Sequence, residues 1–293
     1  MPTDTPQTSA RRKRLENVNT EDFAWAVPVM RAGYAGRALV YLAVSGVSLY
    51  SIWQGGEAKG TAEALKWLQG GWGTAIVVLI ALGLFAYAVW RAVDSVWDLE
   101  AYGTGAKGLI ARAGMLVTGL VHLALGGLAL AVVIGSGQAS GGGGGSQIST
   151  LLSQPGGRIA MIVAGVVTIG AGGYYLHKAW KETYRKHLRA EPTLVHMHTA
   201  LRLGIAAHGV VIAIIGLLIL QAGLSSSGAE AGDMGSAFDW LSTKAYGRVL
   251  VMALCLGLSG FALFCLVNAR YRIVPKATDP TTETLQDALD TVT

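Results

Sequence analysis

Arg31-Ala-Gly-Tyr-Ala-Gly-Arg-Ala-Leu-Val-Tyr41 recurs twice more along the chain, as Arg112-Ala-Gly-Met-Leu-Val-Thr-Gly-Leu-Val-His122 and as Arg202-Leu-Gly-Ile-Ala-Ala-His-Gly-Val-Val-Ile212. Each copy opens with Arg-x-Gly: Arg31 and Gly33, Arg112 and Gly114, Arg202 and Gly204. Each then enters one long apolar stretch and is followed by a second. A repeat of this length fixes the architecture before any single side chain is interpreted. Working outward from the three copies gives six stretches almost free of charge, at about 32–53, 73–90, 113–134, 159–176, 203–222 and 249–267. At 1.5 Å per residue each is long enough to cross a hydrocarbon layer of ~30 Å. Only 14% of the residues are charged and 52% are apolar, whereas soluble domains carry ~25% charge. Helices apolar on every face over such lengths belong in a membrane.

The expected fold is therefore all-α: a polytopic membrane protein whose six transmembrane helices form three parallel two-helix repeats. The expected organisation is a polar, basic N-terminal segment (1–27), three helix pairs (28–103, 104–191 and 192–274) and a polar, acidic tail (275–293). Residues 1–30 lack a short apolar core ending in a cleavage site, so the first span is expected to act as an uncleaved signal-anchor. Lys and Arg divide 18 to 5 between alternate sides of the six spans. That bias predicts that both termini lie in the cytoplasm. It also accounts for the net charge of +5 through topology and anionic lipid at the cytoplasmic face, without any nucleic-acid partner. Cys255 and Cys265 stand on one helix, about 15 Å apart along it, too far to bridge each other. They read as apolar packing residues.

Small residues spaced seven apart occupy matching places in the three copies: Ala38 and Ser45, Gly119 and Gly126, Gly209 and Gly216. Seven residues return to one helix face, and small side chains allow close backbone approach. The pattern predicts that the three odd-numbered spans meet on these faces around a pseudo-threefold axis. On the other side, Trp67-Leu68, Leu151-Leu152 and Trp240-Leu241 each precede the glycine that opens an even span, and short interfacial helices are expected there. Gly141 to Gly145 reads as a linker. Thr20-Glu21-Asp22 reads as a helix start, and residues 178–200 as a helical extension interrupted by Pro192.

Three tandem helix pairs, each opening Arg-x-Gly, with second helices introduced by Gly157-Arg158 and Gly247-Arg248 and a closing Ala269-Arg270-Tyr271-Arg272-Ile273, resemble the bacterial membrane family known as domain of unknown function 1206. The resemblance covers about residues 28–274. The chain departs from the pattern at Thr74, where the first repeat has no arginine, and at Ile212, where an aromatic residue or histidine is expected. The resemblance implies a six-helix bacterial inner-membrane protein and supplies no substrate, cofactor or catalytic residue.

Arg37 is the one full charge well inside a span, about 9 Å deeper than Arg31. Intramembrane ionisable residues are costly and so point to function. The repeat places Thr118 and His208 at its level, a candidate polar ring for an anion, a lipid headgroup or a polar ligand. The ordinary alternative is that Arg37 snorkels or forms an ion pair with Asp94. His122 and His208 suggest bis-imidazole haem ligation, but their offsets from the repeat arginines differ by about 6 Å along the axis, which argues against one shared iron. His196 and His198, with His187 and His177 nearby, lack the Cys or carboxylate partners of a metal site. No cofactor and no metal are expected. With no nucleophile elbow, phosphate loop or paired carboxylates, the chain does not read as an enzyme. The expected role is a non-catalytic membrane scaffold or accessory subunit with a membrane-protein partner. The alternative is a transporter or channel-like protein for a small polar or anionic ligand.

Overall fold

A computed structural model describes residues 20–135, 154–225, 233–278 and 282–290. Leu151-Leu152, Gly141 to Gly145 and the basic run Arg11 to Arg14 lie outside the described residues. The six apolar stretches are six long helices: α1 (Ala26–Trp53), α3 (Gly71–Trp97), α4 (Ala106–Val133), α5 (Gly157–Trp180), α6 (Pro192–Ser225) and α8 (Gly247–Tyr271). All six are long and apolar enough to cross a membrane. The start of α1, the end of α8 and the α3–α4 and α5–α6 connections share one side, called here the termini side. The far side carries two short helices, α2 (Thr61–Trp67) and α7 (Met234–Ser242). They bury Ala64, Leu65 and Phe238 and leave Trp67 exposed, as expected of helices lying in an interface. A last short helix, α9 (Leu285–Asp290), follows on the termini side.

The long helices pack as an arc in the order α4, α3, α1, α8, α6, α5. The three odd-numbered spans α1, α4 and α6 share no packed interface with one another among the described residues, which corrects the expected meeting of their small faces on an axis. Those faces are used, but against the even-numbered span (second, fourth or sixth) of the neighbouring repeat. Gly119 and Gly126 receive Arg91, Ala88 and Phe85 of α3, while Gly209 and Gly216 receive Tyr175 and Ile169 of α5. Ser45 accepts a hydrogen bond from Ser259 of α8 at 3.0 Å, and Ala38 beside it is buried. The packed pairs are therefore α8 with α1, α3 with α4, and α5 with α6. Each of these three pairs is made of helices from different repeats.

The end helices show their position in their own sequence. In α4 one seam is buried, through Met115, Gly119, His122, Gly126 and Ala129, while Leu116, Val117, Leu120 and Val121 are exposed. In α5 the seam runs Met161, Gly165, Gly172 and Ala179, and Val163, Val166 and Val167 are exposed. A single heptad-like seam packs a helix along one neighbour. α4 and α5 are the two helices of the second repeat, and they do not pack on each other.

Side chains tie the far ends of the pairs together. Arg158, opening α5, donates to the Gly223 and Leu224 carbonyls that end α6, at 3.1 and 3.0 Å. Arg248, opening α8, donates to the Ile52 carbonyl that ends α1. The last carbonyls of a helix have no intrahelical partner, so such donors satisfy them. In the first repeat, where Thr74 replaces the arginine, Gln69 reaches the Val132 carbonyl at the end of α4.

On the termini side, Pro192 begins α6 instead of interrupting a helix. Its fixed φ and missing N–H suit the first turn, where the N–H would be unpaired in any case. A short 3-10 turn (Thr183–His187) precedes it. The segment then pairs with the chain's end through isolated bridges of Leu188 with Arg272 and of Arg189 with Thr284.

Candidate functional site

Arg37, on α1, is 3% exposed. A guanidinium holds its charge at any physiological pH, so burial here must be compensated by partners. Its Nη1 donates to the Tyr87 hydroxyl at 2.9 Å. Its Cζ lies 4.6 Å from the Tyr87 ring centroid, 5.4 Å from Phe261, and 5.9 Å from both Tyr34 and Tyr41. Each distance falls within the reach of a cation–π contact, worth roughly 0.5–2 kcal/mol according to desolvation. Among the described residues no carboxylate pairs with Arg37, and its buried Nε has no hydrogen-bond partner.

The expected Arg37–Asp94 pair is not formed. Asp94 is fully buried and takes Arg91 at 3.2 Å instead, one turn away on the same helix. Geometry favours Arg91 because i,i+3 side chains on one helix face meet without any interhelical register. Arg37 and Arg91 are nevertheless joined through one atom: the Tyr87 hydroxyl accepts from Arg91 Nε at 3.0 Å as well.

The expected ring of Arg37, Thr118 and His208 is assembled in two of its three members. Thr118 is not part of it. Its hydroxyl donates back to the Gly114 carbonyl of its own helix at 2.7 Å. His122, one turn further along α4, enters instead and lies 4.5 Å from the Tyr87 ring, with Nδ1 donating to the Thr118 carbonyl at 2.7 Å. His208 of α6 stacks on Phe261 at 3.8 Å and meets Tyr41 and Tyr175 edge-on at 5.1 and 4.8 Å. Its Nδ1 is buried without a partner. Each of the six long helices thus supplies a member of one contact chain: His122, Tyr87, Arg37, Phe261, His208 and Tyr175.

Sequence comparison of the copies held part of this. Tyr41, His122 and Ile212 form one column of the repeat, and two of the three belong to the cluster. Tyr87 and Phe261 also match, each fourteen residues after the glycine that opens its span, Gly73 or Gly247. Tyr175 has no such counterpart and carries no signal of its own.

A second buried network lies toward the termini side. The turn after α3 passes through Asp98, which adopts left-handed backbone (φ 51°) and accepts from the Tyr102 and Gly103 amides at 2.8 and 2.7 Å. Aspartate tolerates this conformation better than most residues. The turn delivers Glu100, 4% exposed, onto Arg272 at the end of α8, with Arg272 Nε donating at 3.1 Å. Tyr102 donates to Glu100 at 3.1 Å, and Arg91 lies 3.9 Å away. Burial works to raise the Glu100 carboxyl, but the Arg272 and Arg91 guanidinium groups overcome it and hold it well below the usual carboxylate range.

The repeat-opening arginines do unlike things. Arg112 donates to the Ser95 and Val96 carbonyls at the end of α3, at 2.5 and 3.0 Å. Arg202 lies 3.5 Å from Glu182, and Arg31 is exposed. Gly33 packs on Tyr87 and Gly204 on Phe261, while Gly114 faces open space. Away from the cluster, His196 Nδ1 lies 3.0 Å from the Pro192 carbonyl and His198 Nδ1 lies 3.2 Å from Arg185. Among the described residues no cluster of three metal-ligating side chains occurs. Cys255 and Cys265 are free and buried.

With this geometry in hand, the chain matches the family model described as Domain of Unknown Function (DUF1206) three times, over residues 32–98, 113–182 and 203–272. The chain belongs to this family. It is also similar to the uncharacterized protein YxxB of Bacillus subtilis (strain 168), at 21% identity over 274 residues, covering 90% of this chain and 98% of that one. No solved structure matches it. Each family match spans one helix pair that is contiguous in sequence, whereas the pairs packed most closely in space join helices of different matches.

Proposed function

We propose that this protein is a non-catalytic, multi-pass protein of the bacterial cytoplasmic membrane, with both termini in the cytoplasm, that binds a small anionic ligand at Arg37. The observation that carries the reading is a guanidinium buried among aromatic rings with no paired carboxylate among the described residues and with an unpartnered Nε. Leaving a charge unpaired in a low-dielectric interior is expensive. Aromatic faces offset part of that cost, and an anion would offset the rest. The 18-to-5 division of basic residues supports the orientation, and the basic stretch 178–189 suits anionic lipid on the termini side.

A scaffold or accessory role is the second reading. It is favoured by the exposed apolar faces of α4 and α5, each of which packs along only one long helix and would suit a membrane-protein partner. Neither reading calls for a nucleic-acid partner or a cofactor. Native mass spectrometry of protein gently extracted from its own membranes separates them. A stoichiometric anionic small molecule that disappears in Arg37→Gln supports the ligand reading. A stoichiometric protein partner, retained in Arg37→Gln, supports the scaffold and sinks the ligand reading.

A further inference from the structure

The arc that holds Arg37 is closed by packed interfaces from α4 through α3, α1, α8 and α6 to α5, and it is open between its two ends. Gly114 on α4 and Gly170 on α5 both face open space. Their counterparts in the other repeats are in contact: Gly204 lies against Gly260 and Phe261, and Gly33 against Tyr87. Outside the opening the helices present Leu116 and Leu120 on one side and Val166 and Val167 on the other, all exposed. Both helices that bound it also reach into the cluster: His122 from α4 against Tyr87, Tyr175 from α5 against His208. Lys178, about one turn beyond Tyr175 toward the termini side, sits over the Phe264 ring at 5.3 Å with no carboxylate paired to it among the described residues.

The charge balance of the interior is one-sided. Arg37, Arg91, Arg272 and Lys178 face Asp94 and Glu100, and the two carboxylates are engaged by Arg91 and Arg272. Arg37 and Lys178 are the cations left over. Two buried nitrogens without partners, Arg37 Nε and His208 Nδ1, flank the same two rings, Tyr41 and Phe261.

We propose that the cluster takes the head of an amphipathic anion, a carboxylate bearing one long acyl chain, with the chain lying between α4 and α5. This rests on the anion-binding reading above and adds the ligand class and the route. A guanidinium recognises a carboxylate by charge-assisted hydrogen bonds. The exposed residues beside the opening are apolar, so a ligand with an apolar tail can reach Arg37 there without crossing the packed side of the arc. The head must be small. Cavities of about 610 Å³ beside α6 and α7 and about 290 Å³ between α1, α7 and α8 are both lined without Arg37, and the cluster itself is closely stacked. A bare carboxylate displaces fewer of these stacked rings than a substituted phosphodiester would.

The test is photolabelling of the full-length protein in nanodiscs of zwitterionic lipid, using a long-chain fatty acid with a mid-chain diazirine. Label is expected on residues 113–124 of α4 and 163–176 of α5. Oleate should compete it away, while oleyl alcohol, with the same chain and no charge, should not. Arg37→Gln should reduce labelling by roughly tenfold or more, as loss of a charge-assisted contact implies. Arg37→Lys should restore part of it, and Lys178→Gln should weaken it severalfold. If Arg37→Gln fails to fold by size-exclusion chromatography, the alcohol comparison and Lys178→Gln still decide. Label spread over lipid-facing residues such as Leu203 and Leu256, or equal competition by oleyl alcohol, overturns the proposal. Competition by anionic phospholipid in place of oleate assigns the site to a lipid headgroup and overturns it too. Arg37-dependent binding of inorganic phosphate without any effect of oleate leaves the anion reading standing and this one refuted. Binding of neither removes both.

Discussion

The first and third repeats close on themselves and the second does not. In repeat one, α1 and α3 approach so nearly that a Cβ placed on Gly36 would lie 2.5 Å from the Gly83 Cα. In repeat three, Gly204 of α6 meets Gly260 of α8 in the same way. In repeat two, α4 and α5 stand at opposite ends of the arc, and the glycines that would meet, Gly114 and Gly170, touch nothing. Nearly the same sequence pattern thus gives two outcomes. The contacts present in all three thirds of the molecule are those between an even-numbered span and the odd-numbered span of another repeat: α3 with α4, α5 with α6, and α8 with α1. Those contacts hold the bundle, and the closure within a repeat is an addition that the second repeat lacks.

The largest difference between the two sides of the molecule is expected in their buried charges. Glu100 joins the α3–α4 turn to Arg272 at the end of α8, with the Glu100 side chain 1% and the Arg272 side chain 6% exposed. Glu100→Gln leaves Arg272 buried without its counter-charge and should cost about 3–5 kcal/mol, read by denaturant titration in mild detergent. Glu182, which lies beside Arg185 and Arg202 near the end of α5 and is 18% exposed, is the control on the open side. Glu182→Gln should cost less, on the order of 1 kcal/mol, because its partners Arg185 and Arg202 keep more contact with solvent than Arg272 does. The Glu100 carboxyl is held below its ordinary value. Its contribution is therefore full above the usual carboxylate range and is lost as pH falls through and below it. The wild-type protein should lose stability there, and Glu100→Gln should lose less. Equal pH profiles would show that the pair does not hold the arc.

The next effect tests closure itself. Gly36→Ala and Gly204→Ala force a methyl group into the backbone of a facing helix and should each cost about 1–3 kcal/mol, the usual range for overpacking. Gly114→Ala meets open space and should be neutral or stabilise by up to about 1 kcal/mol, since alanine is the better helix former. Comparable losses at Gly36 and Gly114 would mean that α4 and α5 are in contact after all.

Much of the fold was legible in sequence because the membrane makes its demands locally. Each span had to be apolar over its own length, and each copy opened with Arg-x-Gly, so six helices and three repeats could be read without knowing any contact. Which helix packs on which was not legible. Gly119, Gly126, Gly209 and Gly216 announced close helix approach, yet a small face accepts any backbone, and nothing in the spacing says whether that backbone is an odd or an even helix. The site divided along the same line. Arg37 stood out because a charge inside a span is conspicuous alone. Its partner did not, since Asp94 was within reach of both Arg37 and Arg91, and only the shared helix face decided for Arg91. Thr118 was placed by strict repeat register, whereas a threonine can satisfy its hydroxyl on its own helix and leaves the place to His122.

The far-side ties sharpen what the repeats do share. Arg158 and Arg248 donate to the last carbonyls of α6 and α1, and removing a charged donor of this kind should cost about 1.5–3 kcal/mol. Gln69 makes the corresponding contact with Val132 at the end of α4. As a neutral donor it should be worth only about 0.5–1.5 kcal/mol. Alanine at each of the three positions, followed by thermal unfolding, should therefore rank Arg158 and Arg248 together and above Gln69. A Thr74→Arg change does not restore the pattern simply by filling the missing column, because Thr74 already accepts a hydrogen bond from the Gly70 amide at 3.0 Å at the start of α3. The decisive comparison is the double change Gln69→Ala with Thr74→Arg. If the far-side tie is the common device of all three pairs, arginine at 74 should recover the stability lost at 69, since the donor can come from either place provided it reaches the Val132 carbonyl. No recovery would mean that Gln69 reaches Val132 only because the α2–α3 turn carries it there, and that the first repeat departs from the others in its backbone as well as in one side chain.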